Sequence, residues 1–262
     1  MWASKMVPPE RRSLPGERRT GPLRAWPGRD RFRRFLARAV ALAVAPSRRN
    51  IAYWSICAAT LGLELVMVAV LSDGHIYEWE KEVTRLFQQV PGRRTVFDVA
   101  SFLTNTLSLP FVLLLLAVVG AAVAMGQYTP AFLLALTFPV HVLAQFPKAI
   151  IERPRPSAAY QGIDGVGGVM SFPSGHAEYV VSFYGLLACL ALARFRSYRV
   201  RALIVALWLA LAAATGFGRI ATGRHWPIDI LVSYAIGAGI LSGLLWLRHA
   251  LQTARAEILA ES

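Results

Sequence analysis

Between Asp98 and Lys148 the chain carries no charged side chain. Such a run is long enough for two bilayer crossings at about 20 residues each. The Gly126-Gln127-Tyr128-Thr129-Pro130 turn divides it in two. Comparable stretches cover about 51–71, interrupted by Glu64, and 179–193, 202–218 and 230–247. Six spanning helices are therefore predicted. Apolar and polar residues do not alternate along them, which argues against a closed barrel. Composition agrees, with 55% hydrophobic and 16% charged residues and a mean hydropathy of +0.46, too apolar for an ordinary soluble domain. The predicted fold class is all-α, a polytopic membrane protein with six transmembrane helices in one bundle.

A net charge of +13 raises the question of nucleic acid, but its distribution answers it. Of 28 Lys and Arg residues, 13 lie in the first 50, and Arg194, Arg196, Arg199 and Arg201 lie between the fourth and fifth spans. Both places fall on one side of a six-helix topology, which the positive-inside rule makes cytoplasmic. Anionic lipid headgroups account for the charge, so membrane lipids are the expected partners, with no nucleic acid and no obligate protein partner inferred. The N- and C-termini are then cytoplasmic. Cys57 and Cys189 sit within apolar spans and offer no disulfide or zinc pattern. The polar, arginine-rich start does not read as a cleavable signal peptide.

One domain is expected over residues 50–250. Residues 1–49 form a basic extension ahead of it and 251–262 a cytoplasmic tail. Within the extension, residues 1–30 have no apolar periodicity and are predicted to be disordered. Residues 31–46 read equally as an interfacial amphipathic helix or as a stop before the first span. Residues 73–94, with four acids and four bases, are expected to form an external amphipathic segment.

Three clusters hold polar residues that solvation does not explain. They are Lys148-Ala-Ile-Ile-Glu-Arg-Pro-Arg155-Pro156, Ser171-Phe-Pro173-Ser174-Gly175-His176, and Arg219-Ile-Ala-Thr-Gly-Arg-His225-Trp-Pro-Ile-Asp229. Counting crossings puts all three on the extracytoplasmic face. Lys148, Arg155 and Arg219 supply three cations whose natural guest is an anion, and a guanidinium fork suits phosphate oxygens. Ser174 reads as a helix cap whose free backbone N–H groups form an anion cradle, with Gly175 allowing close approach. Pro227 places His225 at the mouth of the last span, and Asp229, four residues on, is expected to accept a hydrogen bond from one ring nitrogen and fix the tautomer. The other nitrogen is then free to attack phosphorus, and His176 suits protonation of the leaving oxygen. No carboxylate cluster suits Mg²⁺, so no metal and no cofactor are expected.

Lys148-x6-Arg155-Pro156, Pro173-Ser174-Gly175-His176 and Arg219-x5-His225-x3-Asp229 together resemble the three-part signature of the type 2 phosphatidic acid phosphatase superfamily. The resemblance covers about residues 50–250. It implies a phosphohistidine on His225 supported by Asp229, with His176 as general acid and Lys148, Arg155, Ser174, Gly175 and Arg219 binding phosphate. The family's usual Ser before the third-motif Arg is Gly218 here, which leaves that role unassigned. Among the family's substrates, undecaprenyl pyrophosphate, hydrolysed to undecaprenyl phosphate and phosphate, is the expected one. Phosphatidic acid and phosphatidylglycerol phosphate are the alternatives, and a lipid phosphotransferase or a non-catalytic lipid-binding protein are readings of another class. Arg153 and Arg224 read as interfacial anchors, His75 and His249 as ordinary interfacial residues. His141 reads either as a buried hydrogen-bonding residue or as a group supporting the site or lining a substrate channel, Glu64 and Glu178 as facing the bundle interior or water, and Gly239-x-x-x-Gly243 as a helix-packing face.

Overall fold

In the computed structural model, which describes residues 27–106, 108–156 and 170–261, the chain is all-α. The expected disorder of residues 1–26 lies outside the described residues, whereas residues 27–30 already belong to a helix. The helices are α1 (Pro27–Val44), α2 (Arg48–Leu71), α3 (Glu78–Gln88), α4 (Arg93–Thr104), α5 (Leu109–Ala124), α6 (Tyr128–Ala144), α7 (Gly175–Arg194), α8 (Tyr198–Ala221) and α9 (Pro227–Ala260), with a short 3-10 turn over Phe146–Ala149. Among the described residues five segments are long and apolar enough to span a membrane, and α4 with α5 makes a sixth if that bent pair is one span.

The second span is thus not one continuous helix. α4 and α5 are bent by 45°, and α5 has its own start. Ser108 caps it, accepting from the Phe111 N–H, and Pro110 sits in its first turn. At the other end of the bundle α9 runs on to Ala260, so the expected tail from 251 consists largely of its last turns. α1 lies against α9 and fixes itself there through Arg38, which donates to Glu257 at 2.5 Å and to Glu261 at 3.3 Å.

The core runs along α7 and α9, where Tyr179, Phe183 and Leu186 meet Leu241, Leu244, Phe111 and Leu133. α2 closes on α9 across the small-residue face read from the sequence. A Cβ at Gly239 would lie 2.1 Å from Thr60 Oγ1, and Cys57 Sγ reaches the Gly239 carbonyl at 3.4 Å. Outward-facing Leu116, Leu207 and Leu231 are exposed, as a lipid-facing surface requires. The connectivity brings the ends of α6 and α8 and the starts of α7 and α9 to one end of the bundle, where α3 and α4 also pack against α8.

Candidate active site

All eight residues singled out in the sequence lie at that end. Lys148 sits on the 3-10 turn after α6, where Pro147 stops the α-helix. Its Nζ donates to Gln145 Oε1 at 2.7 Å. Arg155, Arg219, Asp229 and Glu178 are all close enough to act on its charge. Arg219, from the last turn of α8, is buried and lies under the Phe97 ring, its Cζ 5.4 Å from the ring centroid. Arg224 covers the same ring at 4.6 Å. Burial, then Arg224, lowers the Arg155 pKa, and Asp229 opposes this. His176, in the first turn of α7, feels Arg219, Lys148, His141 and Arg224.

Ser174 is the N-cap of α7 by position, but its hydroxyl makes no capping bond. Its Oγ is buried with no partner among the described residues, and its N–H donates to Ser233 Oγ at 2.7 Å. The space a Cβ on Gly175 would need is held by Gln145 Oε1 at 3.0 Å and His141 Cε1 at 3.2 Å, so glycine here also admits close packing of α6. Three of the buried polar atoms that have no partner among the described residues, Ser174 Oγ, Gln145 Nε2 and Arg219 Nε, belong to this cluster. Orphaned polar atoms on this scale call for a polar guest.

His225 is buried at the mouth of α9, and its Nδ1 lies 2.6 Å from the Ser171 carbonyl oxygen. A carbonyl only accepts, so Nδ1 carries the hydrogen and Nε2 keeps a free lone pair in the neutral ring. Burial first, then Arg219, Lys148 and Arg155, hold the His225 pKa well below the usual imidazole range, against the opposing effect of the Ser171 bond.

The expected hydrogen bond from His225 to Asp229 is therefore corrected. Asp229 Oδ2 stands 3.9 Å from Nδ1 and spends its acceptors elsewhere. It takes the Ser171 hydroxyl at 2.5 Å and the Trp226 N–H at 2.8 Å on Oδ2, and Arg153 Nη1 at 2.5 Å on Oδ1. Asp229 thus holds both chain segments that position His225, without touching its ring.

Arg153 is the residue that sequence reasoning missed. Far from anchoring at the membrane surface, it is fully buried, bridging Asp229 and Glu80 Oε2 (2.6 Å) and donating to the His75 carbonyl at 3.1 Å. Glu80, read as part of an external amphipathic segment, is buried with it and also accepts from the Ile228 N–H at 3.2 Å. A buried ionic chain thus ties α3 to the start of α9. His141, as read, is buried and hydrogen-bonded, to Glu178 and to Thr106 Oγ1 at 3.3 Å, while Glu178 also accepts from Ser182 at 2.7 Å. Among the described residues no three His, Cys, Asp or Glu side chains converge as metal ligands.

The PAP2 superfamily model matches residues 112–253, more than half of the chain. The chain belongs to the PAP2 superfamily. Two curated relatives, each a "Lipid A 1-phosphatase", from Rhizobium johnstonii and Rhizobium etli, are 31% and 30% identical over 116 residues. The match covers 41% of this chain and 43% and 46% of theirs, so the chain spans under half the length of the curated relatives it matches. A crystal structure of Aquifex aeolicus LpxE resembles it at 21% identity and a TM-score of 0.46, covering 63% of this chain and 93% of that one. The PAP2 match includes Lys148, His176, Arg219 and His225 but begins beyond α4. The structure explains Gly218, where most of the superfamily is expected to carry Ser. A Cβ there would stand 2.9 Å from Phe97 Cα, because α4 packs its backbone against this turn of α8.

Proposed function

We propose that this PAP2 protein hydrolyses a membrane lipid phosphate without a metal, through a phosphohistidine on His225. The observation that carries the reading is the meeting of an Nδ1-protonated His225 with Lys148, Arg155 and Arg219, the same cations that act on His176, beside Ser174 Oγ and Arg219 Nε, which have no partner among the described residues. Lys148, Arg155, Arg219, Ser174 and the first-turn N–H groups of α7 hold the phosphate oxygens. His225 Nε2 attacks phosphorus as the bond to the leaving oxygen breaks, and His176, which takes up a proton when the negative charge of the bound phosphate offsets the neighbouring cations, donates it to that oxygen. Water then attacks the phosphohistidine and gives its proton to His176, releasing phosphate and free His225. The cations neutralise the charge that develops at phosphorus. Asp229 and Arg153 position His225.

Arginine-rich segments at the opposite end of the bundle support an extracytoplasmic active site with both termini cytoplasmic. Two substrates have specific support. The relatives' names favour the 1-phosphate of lipid A, and the outward-facing site suits undecaprenyl pyrophosphate. Phosphate release by the purified protein from both lipids and phosphatidic acid, beside His225→Ala and with EDTA, tests the reading. Release that EDTA spares and His225→Ala abolishes is expected. Loss in EDTA restored by Mg²⁺ contradicts it, phosphate transfer only to an added acceptor indicates a transferase, and lipid binding without turnover indicates a binding protein.

A further inference from the structure

On the membrane side of the phosphate site a groove of about 260 Å³ opens between α2, α6 and α9. Its walls are mostly apolar, with Leu61 and Leu143 exposed at its rim and Ala144 and Ile236 further in. Glu64 is the acidic residue among its lining. Among the described residues no group donates a hydrogen bond to the Glu64 carboxyl or forms an ion pair with it, and the ionisable group that acts on it is another acid, Glu178. An acid in a membrane span costs stability and stands there for a function.

The groove adjoins the site. Ala144 precedes Gln145, the partner of Lys148 Nζ. Ile236 lies seven residues along α9 from Asp229, and Glu64 seven residues before Leu71, where α2 ends. Each is about 10 Å deeper than the phosphate-binding end, at a rise of about 1.5 Å per residue. A lipid whose phosphate rests between Lys148 and Arg219 therefore lays the headgroup-proximal part of a chain beside Glu64. A purely hydrocarbon chain leaves that carboxyl unsatisfied, whereas a chain bearing an N–H or O–H satisfies it.

We propose that this groove seats an acyl chain of the phosphorylated lipid and that Glu64 accepts a hydrogen bond from a hydroxyl or amide N–H near its headgroup end. The inference rests on the lipid phosphatase reading and narrows its substrate to lipids with hydroxylated or amide-linked chains. Polyisoprenoid tails and plain ester-linked chains bring no such donor.

The full-length protein in mixed micelles is assayed on ceramide 1-phosphate, which carries an amide N–H and a hydroxyl, and on phosphatidic acid of matched chain length. A short-chain soluble phosphatidate reports the chemistry alone. The expected kcat/KM is about tenfold higher for ceramide 1-phosphate, the effect of one hydrogen bond. Glu64→Leu should bring the ratio close to one by lowering the ceramide 1-phosphate value. Glu64→Gln, isosteric and still an acceptor, should give an intermediate ratio, and carries the test if the leucine variant does not fold. A ratio that both variants leave unchanged, equal loss on both lipids, or no preference in the wild type overturns the proposal. Turnover of the soluble phosphatidate without lipid preference overturns the tail site alone, whereas no phosphate release from any of the three, nor from lipid A or undecaprenyl pyrophosphate, overturns the phosphatase reading with it.

Discussion

Replacing Arg153 with Met should destabilise the protein more than any exposed arginine can. The Arg153 side chain and both its carboxylate partners, Glu80 and Asp229, are fully buried. Removing the cation leaves two buried carboxylates uncompensated, and breaking a buried pair in this way costs about 3–5 kcal/mol. Part of the cost is recoverable. In Glu80→Gln/Arg153→Met one of the stranded charges is gone, and Asp229 retains Ser171 Oγ and the Trp226 N–H. The effects of Arg153→Met and Glu80→Gln should therefore fall short of additivity by about 1–3 kcal/mol, the coupling expected of residues in one network. Thermal unfolding in detergent of wild type, both single variants and the double variant gives the cycle. Phosphate release should fall with Arg153→Met at temperatures where the variant is still folded, since Asp229 then loses a fixed orientation. Arg153→Lys keeps the charge without the fork and should fall between. A loss below about 1 kcal/mol for Arg153→Met, or additive effects with Glu80→Gln, would refute the buried chain as the element that ties α3 to the start of α9.

Gly218→Ser, although it restores the expected superfamily residue, should destabilise by about 1–3 kcal/mol because α4 must retreat from α8; unchanged melting with a raised rate would contradict this. The lowered His225 pKa has a definite sign in stability. Above about pH 6.5 the ring is neutral folded and unfolded, and below it the unfolded chain takes up a proton that the folded site resists, so stability declines as pH falls. Between pH 7 and 5 the wild type should therefore lose more stability than His225→Ala, and parallel curves would count against a depressed pKa. For the same reason kcat/KM should show no acid limb near pH 6.5 from protonation of the nucleophile. His176→Ala should slow lipid phosphates far more than an activated aryl phosphate, whose leaving group needs no proton, and equal loss on both would remove the general-acid role.

The spans and the shared end of the three motifs were legible because hydrophobic runs and crossing parity need no tertiary knowledge. The break between α4 and α5 was also written in the chain, in Ser108 and Pro110, but the absence of charge from Asp98 to Lys148 masked it. Arg153 was not legible. Its two carboxylate partners come from positions 73 and 76 residues away, and nothing local separates a buried arginine from a surface anchor. Asp229 was placed correctly at the helix start, but a spacing of four residues gives proximity and not a hydrogen bond. Competition from Ser171, Trp226 and Arg153 for its oxygens decided the outcome. Gly218 read as a departure from the family's usual Ser, and the close approach of α4 that accounts for it could not be seen in the chain.

The most direct measurement is to mix the protein rapidly with a lipid carrying radiolabelled phosphate, quench in base within the first turnover, and follow label on the polypeptide. Base-stable, acid-labile label on the wild type that is absent from His225→Ala is the expected result. Hydrolysis without any label on the protein, or label that survives in His225→Ala, would contradict His225 as the nucleophile.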